Sequence, residues 1–219
     1  MRKSETGLDA AIDARTPSIE WRRPVAMSDI MRWLEDGDLR SDGMANEVAE
    51  CVLQDLRLLP PLMDGLASAN APTRGHAADA LEKVARERPK EVAPYLGTLL
   101  KALGRDPVAM VRWHVAMILG YLSSDRTLIP RVAPALLQAT RDPSVICRSW
   151  AVTSLCLIAR QHPEWIGRIA QAISPLVRSP STALRSRSRR ALALITDASI
   201  PIPSGWVKAR HLKHLGYDA

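Results

Sequence analysis

Apolar side chains recur at intervals of three and four residues along most of this chain, which is the spacing of one face of an α-helix. Residues 106–122 and residues 142–158 show the pattern in full. Each stretch places its apolar residues on a single stripe, so each predicts an amphipathic helix that packs against a neighbour. The stripe residues are Val111, Val115, Ile118, Leu119 and Leu122 in the first stretch, and Cys147, Ala151, Leu155 and Ile158 in the second.

These helices belong to a unit that recurs after 36 or 37 residues. Residues 106–112 (DPVAMVR) match residues 142–148 (DPSVICR), and residues 179–185 (SPSTALR) form a third copy. A weaker copy lies at residues 68–74, with its proline displaced to Pro72. Alternating helices with short connections form antiparallel pairs, and stacked pairs form an α-solenoid. The second helical segments fall between the copies, at residues 91–104, 127–141 and 164–178.

Each strong copy opens with a polar residue followed by proline, which predicts how its helix begins. We expect Asp106, Asp142 and Ser179 to be helix N-caps, with the proline at the first helical position. An N-cap oxygen accepts a free backbone N–H and stabilises the helix by about 1 kcal/mol.

The motif D-P-x-x-x-x-R, followed by an alanine- and leucine-rich helix, resembles the HEAT repeat in its short bacterial (PBS-lyase-like) form. The resemblance covers residues 59–196. It implies an all-α fold, a right-handed α-solenoid of about five HEAT-like helix pairs plus a closing helix. The helical pattern adds residues 27–58 and residues 204–215. We therefore expect a solenoid over residues 27–219, preceded by a flexible or loosely docked arm over residues 1–26.

In the HEAT family, the aspartate and the arginine of the motif tend to form a ladder of ion pairs between adjacent repeats. The resemblance implies such a structural ladder here, interrupted at both ends where Ser68 and Ser179 replace the aspartate. Its members are Asp106 and Asp142 with Arg74, Arg112, Arg148 and Arg185.

In HEAT-like solenoids the helix that carries the ladder arginine lines the concave groove, and helical angle predicts which of its side chains face that groove. Residues two, five and nine positions after the ladder arginine point away from the apolar stripe. We expect Met117, Tyr121, Trp150 and Leu157 to form an exposed apolar patch there, and such patches usually mark interfaces. The alternative is a strip covered by the N-terminal arm or by the opposite wall of the coil. The predicted groove residues are His114, Met117, Tyr121, Trp150, Thr153, Leu157, Arg187 and Arg190.

The formal charge of +7 is concentrated in the last third of the chain. Residues 1–141 carry 19 basic and 19 acidic residues, whereas residues 142–219 carry 11 basic and 4 acidic ones. Localised positive potential attracts nucleic acid, anionic lipid or acidic proteins. A solvated arginine-rich face is the alternative, because charge governs association rather than fold.

The sequence offers little support for catalysis or for a metal site. It has no His-Glu dipeptide, no glycine-rich phosphate loop and no G-x-S-x-G or H-E-x-x-H motif. Asp79 is the only acid placed in the groove, between His76 and Lys83 rather than beside a tryptophan, so a DNA glycosylase-like activity is a remote alternative. His211 and His214 stand three apart without a third ligand nearby, so we expect no metal and no other cofactor.

Length and composition also bear on where the protein works. The longest run free of charged, His, Asn and Gln residues covers residues 149–159, too short for a membrane span. The N-terminus lacks the apolar region of a secretory signal. Three scattered cysteines suggest a reducing compartment, so we expect a cytoplasmic protein with no membrane segment.

Two functional hypotheses follow. In the first, the protein is a non-catalytic scaffold that binds a protein or peptide partner in its concave groove, with Trp150, Tyr121 and Met117 as anchors. In the second, it binds nucleic acid through the arginine cluster of the C-terminal third, in which Arg187, Arg190 and neighbouring basic residues neutralise phosphates. The oligomeric state stays open.

Overall fold

The computed structural model describes residues 26–216 and contains eleven α-helices within that range. The expected N-terminal arm therefore lies outside the described residues, apart from Ala26. The helices are α1 (Met27–Leu34), α2 (Ala45–Gln54), α3 (Leu59–Asp64), α4 (Ala71–Glu87), α5 (Pro89–Val92), α6 (Leu96–Arg105), α7 (Ala109–Tyr121), α8 (Ile129–Ala139), α9 (Val145–Gln161), α10 (Ile166–Ile173) and α11 (Thr182–Thr196).

The helices stack as pairs in two layers, which confirms the predicted α-solenoid. In the inner layer α2, α4, α7, α9 and α11 pack side by side in chain order. Their pair partners in the outer layer are α1, α3, α6, α8 and α10. The side of the inner layer that faces away from the outer helices is called the inner face below. It corresponds to the groove expected from helical angle.

The predicted N-caps lie two residues too early in the strong repeats. The carboxylate of Asp142 accepts a hydrogen bond from the Ser144 backbone N–H at 2.7 Å, and Ser144 is the residue that caps α9. Asp106 bonds the Val108 N–H in the same way at 2.8 Å. These aspartates close a turn onto the residue two positions on, a bond that short polar side chains form readily. The proline therefore lies in the turn before the helix and not at its first position.

Neighbouring inner helices pack closely against one another where α7 meets α9. Ser154 of α9 donates a hydrogen bond to the Ala116 carbonyl of α7 at 2.7 Å. A methyl group at Gly120 would lie only 2.4 Å from the Ser154 hydroxyl, so the glycine permits this contact. The close approach buries more of each helix than a wider spacing would.

The chain after α11 does not continue the solenoid. Pro201 and Pro203 interrupt helix formation, and the expected closing helix over residues 204–215 is present as two 3₁₀ turns, Ser204–Trp206 and Arg210–Leu215. The backbone N–H of Ile202 donates to the Leu215 carbonyl at 3.2 Å, which brings the two ends of the segment together. We call residues 202–216 the C-terminal loop. Its compact form with adjacent ends is that of an Ω-loop.

Candidate functional site

Two rungs of ion pairs join successive repeats. Arg74 donates to Asp106 at 2.8 Å, and Arg112 donates two hydrogen bonds to Asp142, at 2.7 and 3.0 Å. All four charged groups are mostly buried. Burial opposes ionisation of Asp142, but the bonds from Arg112 and from the backbone outweigh it and hold the pKa of this carboxyl below its usual value. These pairs connect repeats and belong to the framework of the fold.

The next position of the ladder has no carboxylate. Ser179 accepts a hydrogen bond from the Ser181 N–H at 3.2 Å and so preserves the turn. The Nε of Arg148 is buried and has no hydrogen-bond partner in the described part of the chain. Arg185 bonds the carbonyls of Ser179 and Pro180 in its own repeat. The serine at position 179 thus leaves one ladder arginine unpaired.

The prediction of an exposed apolar patch on the inner face is wrong. Met117, Tyr121 and Leu157 are at most 3% exposed, and Thr153 is 1% exposed. Trp150 alone of the four patch residues is partly accessible. Helical angle places these residues on the correct side of each helix, but close packing of the inner helices and the C-terminal loop cover them. Within residues 26–216, the segment that lies over this part of the inner face is the C-terminal loop.

A polar network occupies the inner face between α4 and α7. The carboxylate of Asp79 lies 2.6 Å from the Lys83 ammonium and 3.4 Å from Nε2 of His114. Burial lowers the pKa of His114, although Asp79 and Glu82 act in the opposite direction. One turn along α4, Glu82 is fully buried and accepts hydrogen bonds from the Tyr121 hydroxyl and from a guanidinium of its own helix. Burial raises the pKa of Tyr121, so the phenol stays protonated.

His76, a residue of the same predicted strip, does not reach the inner face. It is completely buried, with its ring nitrogens 2.9 Å from the Leu34 carbonyl and 3.1 Å from the Asp38 carbonyl. The connection between α1 and α2 therefore covers this part of α4.

Two tryptophans and two cations meet near the C-terminal end of the inner face. The Arg187 guanidinium lies 5.1 Å from the ring centre of Trp150 and 5.2 Å from that of Trp206, within the range of cation–π attraction. It also donates a hydrogen bond to the Thr153 hydroxyl at 2.7 Å. The Lys208 ammonium lies 5.0 Å from the Trp150 ring. Burial lowers the pKa of Arg187. Arg187 thus contacts two other predicted groove residues, Trp150 and Thr153.

The C-terminal loop crosses four inner helices in turn. Trp206 contacts Arg187 of α11 and Lys208 contacts Trp150 of α9, as described above. Further along, His211 donates to the Tyr121 carbonyl of α7 at 2.8 Å, and Arg210 lies 3.7 Å from Glu87 of α4. Sequence reasoning missed this contact, because a proline-rich bend indicates where the solenoid ends but not where the following segment folds.

A cavity of about 740 Å³ opens beside the tip of this loop. It lies between the end of α7 and the two connections that precede α6 and α8, and its walls are mainly apolar. The Nδ1 of His211, one of the lining residues, is buried and has no hydrogen-bond partner among residues 26–216. The cavity is large enough for a small ligand or an inserted side chain.

The remaining basic residues of the last repeat face solvent. Arg178, Arg189 and the predicted groove residue Arg190 are exposed, and no ion pair to them is present within residues 26–216. Over the same range no cluster of His, Cys, Asp and Glu side chains is arranged to hold a metal ion. None of the described helices is long and apolar enough to cross a membrane.

Comparison with known proteins agrees with this geometry. The family model for HEAT repeats matches residues 59–156, which confirms the resemblance noted above over that stretch. No curated protein matches the chain.

Solved structures share the fold at low sequence identity. A designed armadillo repeat protein in complex with the peptide (KR)4 is 18% identical and has a TM-score of 0.57, with 77% of this chain and 81% of that chain covered. An engineered protein is 21% identical, with a TM-score of 0.59 and coverage of 77% and 80%. A second designed armadillo repeat protein is 18% identical, with a TM-score of 0.54 and coverage of 77% and 82%. These likenesses establish an α-solenoid repeat scaffold.

Proposed function

We propose that this protein is a non-catalytic scaffold that binds a peptide segment of a partner protein on its inner face. One observation carries the proposal: the inner face already holds an irregular polypeptide segment, the C-terminal loop. Side chains and a backbone carbonyl of α7, α9 and α11 contact that loop directly. A surface that binds one such segment has the chemistry to bind another.

The residue types at this surface support the proposal. Tryptophan and arginine are enriched among residues whose truncation costs a complex the most, and Trp150 and Arg187 meet beneath the C-terminal loop. A designed armadillo repeat protein with this fold binds the peptide (KR)4, which supports peptide recognition by the solenoid architecture.

The test is a selection of linear peptides from a random display library against the full-length chain. Titrations of the selected peptides against Trp150→Ala should then show a loss of affinity of at least about 30-fold, the loss expected for a hot spot. Trp165→Ala is the matched control, because Trp165 makes a similar cation–π contact with Arg168 in the outer layer, at 4.6 Å. Equal effects of the two substitutions, with helical content preserved in both, would argue against an inner-face site.

Nucleic-acid binding is the second candidate, favoured by the exposed Arg178, Arg189 and Arg190. A protein that neutralises several phosphates loses affinity steeply with salt. Anisotropy of a labelled duplex and of a single strand, titrated at 50 and 200 mM salt, tests this candidate. Binding that falls by about 10³-fold between the two salt concentrations, and that Arg189→Glu with Arg190→Glu abolishes, would establish it. Absence of binding at 50 mM salt would exclude it.

A further inference from the structure

The C-terminal loop is packed against the inner face without being part of the helical stack. Its apolar side chains Ile202, Val207 and Leu212 are buried, and Trp206 is 8% exposed. The segment before it is held by Arg160 of α9, whose guanidinium donates to the carbonyls of residues 194, 197, 198 and 200. Every residue has a backbone carbonyl, so these hydrogen bonds from Arg160 hold the segment regardless of its side chains.

The charged side chains of the loop contact two inner helices: Lys208 lies over the Trp150 ring of α9, and Arg210 lies near α4. The guanidinium of Arg210 lies 3.7 Å from the Glu87 carboxylate, and both groups are exposed. Partial burial lowers the pKa of Lys208; Glu82 and Asp79 of α4 oppose this effect, whereas Arg86 and Lys83 of the same helix add to it. The two basic residues stand two positions apart in the loop, Lys208 over the Trp150 ring and Arg210 beside the Glu87 carboxylate. The same face carries the cation Arg187 at its other end, on α11.

We propose that the inner face recognises a basic linear peptide with a tryptophan followed by lysine and arginine, and that the C-terminal loop is the intramolecular competitor for this site. The proposal rests on the proposed function and adds the chemistry of the partner to it. The indole occupies the position of Trp206 beside Arg187, and the basic pair occupies the positions of Lys208 over Trp150 and Arg210 beside Glu87. A partner with acidic residues at those two positions would lose the cation–π contact with Trp150 and would meet the Glu87 carboxylate.

The loop must open before the partner binds, so its stability sets the apparent affinity. When the open form is a small fraction of the population, the apparent dissociation constant rises by the inverse of that fraction. Weakening the loop without touching the helices should therefore strengthen binding of a peptide added in trans. Lys208 and Arg210 suit this purpose because both are exposed and neither contributes to the apolar core.

The experiment uses the full-length chain and a fluorescent peptide with the sequence of residues 200–216. Fluorescence anisotropy measures its affinity for the wild type and for the double variant Lys208→Glu, Arg210→Glu. Lys213→Glu with Lys101→Glu is the matched control, since it changes the net charge equally at two exposed lysines without a described ion pair. Hydrogen exchange of residues 200–216 reports whether the loop has opened in each protein.

We expect the loop of the double variant to lose protection and the peptide to bind that variant at least tenfold more tightly than the wild type or the control. A peptide that itself carries the two glutamates should bind the double variant at least tenfold more weakly than the basic peptide. Equal binding of both peptides would overturn the basic specificity, and so would unchanged loop protection in the double variant. If the peptide instead bound the wild type and the double variant equally, the competitor role would be wrong.

These outcomes separate the inference from the proposed function. If the display-selected peptides depend on Trp150 for binding but are neutral or acidic, the proposed function stands and the basic specificity is wrong. If neither the selected peptides nor the basic peptide bound to the inner face, both the proposed function and the basic specificity would be wrong.

Discussion

Replacing Ser179 by aspartate should complete the interrupted ladder. In the intact rungs, an arginine of one repeat bonds the aspartate that opens the next repeat, as Arg112 bonds Asp142. The same repeat geometry directs Arg148 toward position 179, where the serine cannot accept a bidentate arginine. As a consequence, the Nε of Arg148 is buried without a hydrogen-bond partner in the part of the chain that the structure describes. A carboxylate at position 179 would give this nitrogen an acceptor.

The magnitude follows from the intact rung. Asp142 accepts two hydrogen bonds from Arg112 and one from the Ser144 N–H. Because Ser179 already accepts the equivalent backbone bond, the aspartate adds only the arginine contacts. A hydrogen bond to a charged group contributes about 1.5–3 kcal/mol, and desolvation of the new carboxylate offsets much of it. We expect a net stabilisation of about 1 kcal/mol, or about 2–4 °C in melting temperature for a chain of this size.

Urea unfolding of four proteins measures the effect: wild type, Ser179→Asp, Arg148→Gln and the double variant. The gain should vanish when Arg148 is absent, because only this arginine supplies the new bonds. Ser68→Asp is the control, since Ser68 forms the same turn but α2 contains no arginine to meet it. A loss of stability in Ser179→Asp, or a gain that persists in the Arg148→Gln background, would refute the reasoning.

Three further predictions test packing and ionisation. Gly120→Ala should cost about 1–3 kcal/mol in thermal unfolding, because its methyl group would meet Ser154, and Ser154→Gly should recover part of the loss. Burial lowers the pKa of His114 in the folded protein, so the unfolded chain takes up that proton first and stability falls as the pH drops below about 6.5. In His114→Gln, the free energy of unfolding measured in urea should vary less with pH across that window. An unchanged slope of this free energy against pH would contradict the prediction. Burial raises the pKa of Cys147 and of Cys156 to about 12, so intact-mass analysis should find both thiols unalkylated by iodoacetamide at pH 8 until denaturant is added.

The repeat architecture and the ladder could be predicted from the chain alone. An apolar stripe with helical spacing buries itself only against another element, and a repeated stripe therefore specifies stacked helices. The pairs Arg74–Asp106 and Arg112–Asp142 were implied by the HEAT resemblance, and the structure contains both. The HEAT resemblance rested on this periodic information, which is local and recurs along the sequence.

Tertiary structure decided which residues of the inner face are buried and which are accessible. Helical angle placed Tyr121 and Leu157 on that face, but it contains no information on how closely α7 approaches α9 or on what lies above them. The C-terminal loop has no repeat and no periodic stripe, so its position depends on contacts between residues far apart in the chain, such as His211 with Tyr121 and Lys208 with Trp150. Periodicity therefore determines which helices form and how they stack, whereas long-range packing alone determines which of their surfaces remain accessible.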